Sequence, residues 1–157
     1  MAQQEKSFFA EREVPLLLQC FLEKEKWRNY LDLGCGHGSL LFALNKKGYF
    51  KGKKVYAVDL SEKRIAAVKK TSPSFNCLVA DACKLKGVKN SGIDFLVSTQ
   101  VIEHVESEEQ MIKEMRRVLR SNGIAFVSTV FKKKTGMVFL QMQRQMGFGT
   151  NAPAGIY

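Results

Sequence analysis

The sequence alternates between short apolar runs and longer amphipathic segments. Mostly apolar runs of this length are typical of strands buried on both faces of a parallel sheet. Strands that alternate with helices predict right-handed βαβ units, and therefore an α/β, doubly wound, mostly parallel sheet with helices on both faces. The predicted strands are Tyr30–Leu33, Val55–Val58, Cys77–Ala80, Ile93–Ser98 and Ile124–Thr129, and the predicted helices between them are Ser39–Lys47, Ser61–Lys70 and Glu108–Leu119.

Local signals predict where the helices begin and end. Ser61 is a predicted N-cap. The triplet Ser121-Asn122-Gly123 predicts a C-terminal stop after the last helix. A further helix over Glu5–Lys26 is predicted before the first strand, and Pro15 is expected to kink or divide it.

The composition is that of one globular domain. The chain has 157 residues, 45% hydrophobic and 25% charged, and no apolar run approaches the ~20 residues that cross a bilayer. Its four cysteines show neither C-x-x-C spacing nor a regular framework, so neither a disulfide scaffold nor a zinc site is indicated. We therefore expect a cytoplasmic protein that does not enter a membrane.

The basic residues are unevenly distributed. The formal net charge is +10, and residues 121–157 carry four basic side chains and no acidic one. Lysines also cluster between Lys46 and Lys54. Such a field attracts an anionic partner such as nucleic acid or an acidic membrane surface, although a solvated lysine-rich surface explains the same charge.

Ligands of doubly wound sheets bind beyond the carboxyl ends of the strands, so the residues after each predicted strand are the candidate site. After the first strand lies Gly34-Cys35-Gly36-His37-Gly38, whose glycines let a ligand lie against bare backbone. Asp59 ends the second strand, 21 residues after Gly38, a distance at which an acid accepts ribose hydroxyls. Asp81-Ala82 follows the third strand, toward the nucleobase end of the same crevice.

Two cofactor classes use this geometry, and Asp32 favours one of them. Nicotinamide dinucleotide sites usually have the spacing G-x-G-x-x-G, with pyrophosphate at the helix N-terminus. Here the spacing is G-x-G-x-G, and Asp32 lies two residues before the first glycine. A carboxylate there repels a pyrophosphate and suits an ammonium group, such as that of S-adenosylmethionine.

In this order, the motifs resemble those of class I S-adenosylmethionine-dependent methyltransferases, especially the small type 11 domains. The resemblance covers residues 28–131 and implies a Rossmann-like methyltransferase fold. The resembling segments are Leu31–Gly38, Val55–Ser61, Asp81-Ala82, Asp94–Ser98 with Val101–Val105, and Met115–Gly123.

The resemblance implies a role for each residue of the methionine half of the site. Asp32 would hold the ammonium group, directly or through water. The backbone of Gly34, Gly36 and Gln100 would surround the amino acid part, and Cys35 is counted with them as a cofactor contact.

In the nucleoside half, the resemblance implies that Asp59 binds the ribose hydroxyls and that Leu60 packs on the adenine face. Asp81 would accept from the adenine amino group, and the Ala82 backbone N–H would meet a ring nitrogen.

His104 is the candidate general base, because histidine side chains exchange protons near neutral pH. Gln100, Glu103 and His104 would share one face of a helical turn. In some relatives a similar stretch with a first glutamate binds a divalent metal. Here that position is Gln100, a neutral and weaker ligand for a hard cation, so we predict no metal. We favour structural roles for Glu103 and His104, which would make hydrogen bonds beneath the cofactor, and His104 is at the same time the best candidate for a base.

The resemblance leaves the C-terminal part incomplete. The family's sheet usually ends with two further antiparallel strands, and 132–157 is too short for that unit. We therefore divide the chain into an N-terminal helical segment (1–29), an S-adenosylmethionine-binding methyltransferase core (30–131) and an incomplete tail (132–157). Three alternatives remain for the edge of the fifth strand: the chain is truncated, which we favour; a partner subunit such as a second copy in a homodimer covers it; or the tail folds over it.

The leading functional hypothesis is methyl transfer by direct displacement, with S-adenosylhomocysteine as product, to an unidentified acceptor: a small molecule, RNA or a protein. Two alternatives are a non-catalytic S-adenosylmethionine-binding module and a nicotinamide-dinucleotide-binding Rossmann domain.

Overall fold

A computed structural model describes residues 14–131 and 134–140. One six-stranded sheet has the order β3-β2-β1-β4-β5-β6. Strands β1 to β5 are parallel, and β6 is antiparallel to β5. The elements are α1 (Leu16–Lys24), β1 (Asn29–Leu33), α2 (Ser39–Lys46), β2 (Lys54–Asp59), α3 (Glu62–Thr71), β3 (Asn76–Val79), β4 (Ile93–Thr99), a 3₁₀ turn (Ile102–His104), α4 (Glu108–Val118), β5 (Leu119–Phe131) and β6 (Lys134–Leu140).

The sheet buries both of its faces, as predicted. On β1, Tyr30 lies in one apolar cluster with residues of α1, α2 and α3. Leu31 and Leu33 lie in a second cluster, which contains Met111 and Met115 of α4. The two clusters lie on opposite faces of the sheet because successive side chains of a strand point in opposite directions. The α/β doubly wound fold is therefore confirmed, and no helix in the described ranges is long and apolar enough to cross a membrane.

The strand order places the switch point between β1 and β4. The chain moves outward from β1 to β2 and β3, then crosses back to the other side of β1 with β4 and β5. The loops after β1 and β4 therefore diverge at their carboxyl ends, which opens the crevice where such sheets bind ligands.

The junction between α4 and β5 differs from the prediction. The helix ends at Val118, and β5 begins at Leu119, so Ser121-Asn122-Gly123 lies inside the strand and is not a helix stop. The carbonyls of Arg117 and Val118 accept hydrogen bonds from the backbone of Ser91 and Gly92. Because a distant segment satisfies the helix end, a glycine cap is not required.

The expectation that the C-terminal antiparallel strands are lacking is wrong for one strand. β6 pairs with the Ala125–Phe131 part of β5, so this stretch of the tail covers the edge. An unpaired strand edge offers a row of backbone donors and acceptors, and the β-prone segment around Val138 satisfies them. Residues 132–133 and 141–157 lie outside the described part.

The N-terminal helix is shorter than predicted within the described residues. Pro15 is the residue just before α1, with φ −53°, so it bounds this helix and does not kink it. Residues 5–13 of the predicted helix lie outside the described part. Ser61 is the N-cap of α3, as predicted, and its hydroxyl accepts from the Arg64 backbone N–H at 3.4 Å.

A clamp of side chains fixes the long β3–β4 connection against α4. Glu114 accepts the Leu85 backbone N–H at 2.7 Å and pairs with Arg117 at 2.7 Å. The Arg117 guanidinium donates to the carbonyls of Leu85 and Val88, both at 3.0 Å. This clamp holds the connection that begins at Asp81, one of the predicted site residues.

We predict that Glu114→Gln lowers the free energy of unfolding by about 1–3 kcal/mol, because it weakens a partly buried charged network. The hydrogen bond from Arg117 holds the pKa of Glu114 below its ordinary value of 4.5. The stabilisation is therefore fully present above pH 4.5 and is lost as the pH falls through the lower folded-state pKa. Chemical denaturation across this range tests it: the wild type should lose more stability than the variant, and parallel profiles would contradict the clamp.

Candidate functional site

The glycine loop after β1 is tied to the end of β2. The backbone N–H groups of Gly34 and Cys35 both donate to the Val58 carbonyl, at 2.8 and 2.9 Å. Gly34, Gly36 and Gly38 have φ angles of +77°, +56° and +81°. These positive values are favourable for glycine, so the sequence pattern corresponds to a backbone that other residues adopt only with strain.

The glycines serve different purposes. A Cβ on Gly34 would lie 2.3 Å from a methyl carbon of Val101, so the loops after β1 and β4 contact each other here. A Cβ on Gly36 would meet no atom within 4 Å. Gly34 therefore allows close packing between two site loops, whereas Gly36 presents bare backbone to open space.

Asp59 connects the loop after β1 to the turn after β2. Its Oδ2 accepts the Gly36 backbone N–H at 2.9 Å, and its Oδ1 accepts the Ser61 backbone N–H at 2.9 Å. Arg64 lies 3.7 Å from Oδ1. A carboxylate has about four lone-pair sites, so acceptor capacity remains after these two hydrogen bonds.

A negative potential surrounds the buried end of β1. Asp32 is only 2% exposed and lies on the same face as Tyr30. Burial raises the pKa of the Tyr30 hydroxyl well above its ordinary value, and the Asp32 charge raises it further. Burial also raises the pKa of the Cys35 thiol, with Asp32 and Asp59 adding to the effect. Cys35 therefore remains a neutral thiol, and the carboxylates of Asp32 and Asp59 suit a cation better than an anion.

The predicted nucleoside-binding residues lie at the ends of β2 and β3. Leu60 is 72% exposed, which is unusual for a large apolar side chain and leaves its surface available to a ligand. Asp81 is exposed, and its carboxylate accepts the Cys83 backbone N–H at 2.8 Å. Ala82 is half-buried against the second apolar cluster. All three lie at the carboxyl edge of the sheet, on the same side as Asp59.

The segment after β4 differs in part from the prediction. Glu103 and His104 lie in the 3₁₀ turn, but Gln100 precedes it with φ +55°, so the three residues do not form one helical face. Glu103 accepts a hydrogen bond from the Thr129 hydroxyl at 2.9 Å. His104 is exposed at the same edge. Within the described ranges, no three His, Cys, Asp or Glu side chains converge as a metal site would require.

Gln100 has a left-handed backbone conformation, which the sequence did not predict. A left-handed conformation is uncommon for a residue other than glycine, and such strain occurs often at ligand-binding sites. The Gln100 backbone N–H donates to the Ser128 carbonyl at 2.7 Å, which fixes this conformation. Asparagine or glycine is the usual sequence signal for positive φ, and glutamine gives none.

Comparison with known proteins agrees with this geometry. A sequence profile of the family described as "Methyltransferase domain" matches residues 31–127, more than half of the chain. The chain therefore belongs to the S-adenosylmethionine-dependent methyltransferase family.

Curated relatives of the chain have different acceptors in their names. The chain is 31% identical over 112 residues to the ubiquinone biosynthesis O-methyltransferase of Rickettsia canadensis, covering 69% of this chain and 45% of that protein. It is 34% identical over 100 residues to the tRNA (carboxymethyluridine(34)-5-O)-methyltransferase of Saccharomyces cerevisiae, covering 62% and 33%. The chain thus spans less than half the length of these curated relatives.

Solved structures show the same fold. A methyltransferase from Aquifex aeolicus that depends on S-adenosylmethionine superposes with a TM-score of 0.63 at 18% identity, covering 72% of this chain and 62% of that one.

We predict that Gly34→Ala is more destabilising than Gly36→Ala. Both substitutions introduce backbone strain at positive φ, on the order of 1–3 kcal/mol. Only the alanine at position 34 also collides with Val101, which adds roughly 1–3 kcal/mol. Urea denaturation of the two variants measures the difference, and equal losses would contradict the close packing of the two loops.

Proposed function

We propose that the protein transfers a methyl group from S-adenosylmethionine to an acceptor by direct displacement. The observation that carries this proposal is the environment of Gly36. Its backbone N–H donates to the Asp59 carboxylate, and a Cβ at this position would meet no atom within 4 Å. A loop held in this way keeps a bare backbone surface ready for a ligand.

The residues present fit the cofactor. We assign the ammonium group to Asp32, since the potential at this end of β1 favours a cation. The backbone of Gly34, Cys35, Gly36 and Gln100 would surround the amino acid part.

The nucleoside half is assigned to the ends of β2 and β3. The free acceptor capacity of Asp59 suits the ribose hydroxyls, and the exposed Leu60 suits an adenine face. Asp81 and the Ala82 backbone N–H would form hydrogen bonds with the edge of the adenine ring. When bound, the cofactor supplies a methyl group on a sulfonium, which is a good leaving group.

The protein's own contribution is then mainly alignment. Orientation of two reactants supplies up to about 7–11 kcal/mol toward the barrier. The contact between Gly34 and Val101 sets the spacing of the loops after β1 and β4, and so the position of one reactant against the other. His104, exposed beside this junction, is the proposed proton acceptor for an acceptor that must lose a proton.

The acceptor is a small molecule, RNA or a protein. The relatives are named for a quinone pathway and for a tRNA, and a protein side chain fits the site residues equally well. A non-catalytic binding role is the second candidate function, since the described chain spans only part of its relatives.

We also propose a cytoplasmic location, because Cys20, Cys35, Cys77 and Cys83 are all free thiols, as is usual in reducing compartments. A homodimer remains a proposal with less support, since β6 already pairs with the strand edge that suggested a second copy.

We predict that Asp59→Asn weakens S-adenosylmethionine binding at least tenfold, which corresponds to about 1.4 kcal/mol. The amide keeps the size of the side chain but removes its charge and half of its acceptor capacity. Calorimetric titration with S-adenosylmethionine and S-adenosylhomocysteine measures the effect. Glu62→Gln, the same chemical change at an exposed position on α3, is the matched control and should leave affinity unchanged.

Two further titrations keep this test decisive. Gly36→Ala leaves Asp59 intact and fills the open space, so it should also weaken binding. A nicotinamide dinucleotide should not bind the wild type. Clear dinucleotide binding without S-adenosylmethionine binding would overturn the proposal, as would a folded Asp59→Asn protein with full affinity.

We predict that His104→Gln lowers the rate of S-adenosylhomocysteine formation by about 10²–10⁴-fold with an acceptor that must lose a proton. Affinity for S-adenosylmethionine should not change, because the side chain lies outside the residues assigned to the cofactor. Screening acceptors by S-adenosylhomocysteine release measures the rate. An unchanged rate at all pH values would show that His104 is not the base.

A further inference from the structure

The structure places a lysine-rich segment far from the proposed methyl-transfer site. Between Lys46 and Lys54, five of nine residues are lysine and none is acidic. This segment connects the end of α2 to the start of β2, so it lies at the amino end of the sheet. Lys54 and Asp59 are the first and last residues of β2, so the end of the segment lies about 17 Å from Asp59, at ~3.3 Å per residue step.

The lysine segment borders a surface cavity of about 720 Å³, here called the amino-end groove. Lys51 and Lys53 line one side, Lys26 and Arg28 line another, and Arg120 lies at the start of β5. The groove therefore gathers cations from two connections of the fold and from the start of β5.

Two of the acidic side chains in the groove make hydrogen bonds with other parts of the protein. Asp94 accepts the backbone N–H groups of Arg28 and Asn29 at 3.0 and 2.8 Å and pairs with Arg120 at 2.9 Å. Glu23 accepts the Tyr49 hydroxyl at 2.6 Å. Glu25 is the third acid of the lining. None of these hydrogen bonds from neutral groups removes a carboxylate charge, so the balance is taken over the whole lining. It has five basic side chains against three acidic ones: Lys26, Arg28, Lys51, Lys53 and Arg120 against Glu23, Glu25 and Asp94.

Interaction with helix dipoles does not account for the positions of these basic side chains. A lysine in the last turn of a helix complements the helix dipole, and Lys46 has that position in α2. Lys26, Arg28 and Lys51 lie outside the helices and have no such role.

The lining of the groove distinguishes between anionic partners. Tyr49 lies half-buried in the groove beside the lysines, and an aromatic ring among cations is the combination that binds single-stranded nucleic acid. Binding by insertion into a membrane surface would require exposed apolar side chains. In the part of the chain that the structure describes, four large apolar side chains are exposed: Leu16, Leu17, Leu60 and Val79. None of these four lines the groove.

We propose that the amino-end groove binds a single-stranded segment of nucleic acid through its phosphates. This binding does not depend on methyl transfer, because the groove and the carboxyl-edge site lie at opposite ends of the strands. A nucleic acid bound there is held by one end of the domain, and the other end remains free.

A pair of charge-reversal variants tests the proposal. The groove variant is Lys26→Glu, Arg28→Glu and Lys51→Glu, and the control variant is Lys63→Glu, Lys84→Glu and Lys86→Glu. The control residues are exposed and lie toward the carboxyl end. Each variant lowers the formal net charge from +10 by six units, so only the location of the change differs.

Fluorescence anisotropy with a labelled oligouridylate measures affinity as a function of salt. The groove variant should bind at least tenfold more weakly than the wild type, and the control should stay within about threefold. The slope of log affinity against log salt should fall by about 2 in the groove variant, at ~0.7 per lost phosphate contact. Lys26→Gln, Arg28→Gln and Lys51→Gln together provide a milder variant if the reversal impairs folding.

Several results would overturn the proposal. One is equal weakening in the groove and control variants, since net charge would then explain binding. Another is the absence of salt-dependent binding by the wild type. A third is a groove variant that loses affinity for phosphatidylserine vesicles and keeps its affinity for the oligonucleotide, because the surface would then face a membrane.

Discussion

The arrangement of the site depends on the carboxylate of Asp59, which accepts backbone N–H groups from both neighbouring loops. One hydrogen bond holds Gly36 after β1, and the other holds Ser61 at the start of α3. Charge-assisted hydrogen bonds of this kind are about twice as strong as neutral ones. Because one side chain joins both loops, the glycine loop cannot move independently of the end of β2. The same group that is proposed to bind a ribose therefore also preorganises the surface beside it.

The sequence predicted the strands and the conformation of the glycine loop because both depend on local signals. Runs such as Ile93–Ser98 are apolar enough to define buried strands, and the glycine spacing defines a backbone with positive φ. The helix stop at Ser121-Asn122-Gly123 was wrong because the end of α4 is satisfied by Ser91 and Gly92, which are distant in sequence. The left-handed Gln100 and the Glu114–Arg117 clamp likewise depend on partners that no local pattern identifies.

The two ends of the sheet are stabilised in different ways, which allows different uses. At the amino end, Asp94 joins β4 to the start of β1 and to Arg120 of β5. At the carboxyl end, the Asp59 carboxylate and the packing of Gly34 against the Val101 side chain hold the loops. At the amino end, the ion pair of Asp94 with Arg120 stabilises the strands, and lysine side chains around it are exposed. At the carboxyl end, backbone groups and acidic side chains lie at the crevice.

The burial of Asp32 is best understood from its effect on its neighbours. A charged carboxylate that is 2% exposed is costly, and its field helps keep both the Tyr30 hydroxyl and the Cys35 thiol protonated. Neither neighbour can supply a positive charge, and the Tyr30 hydroxyl has no hydrogen-bond partner in the described structure. A cationic ligand group at this end of β1 would offset the cost. In the proposed function the ammonium group of the cofactor supplies that charge, and its attraction to the Asp32 carboxylate contributes to binding.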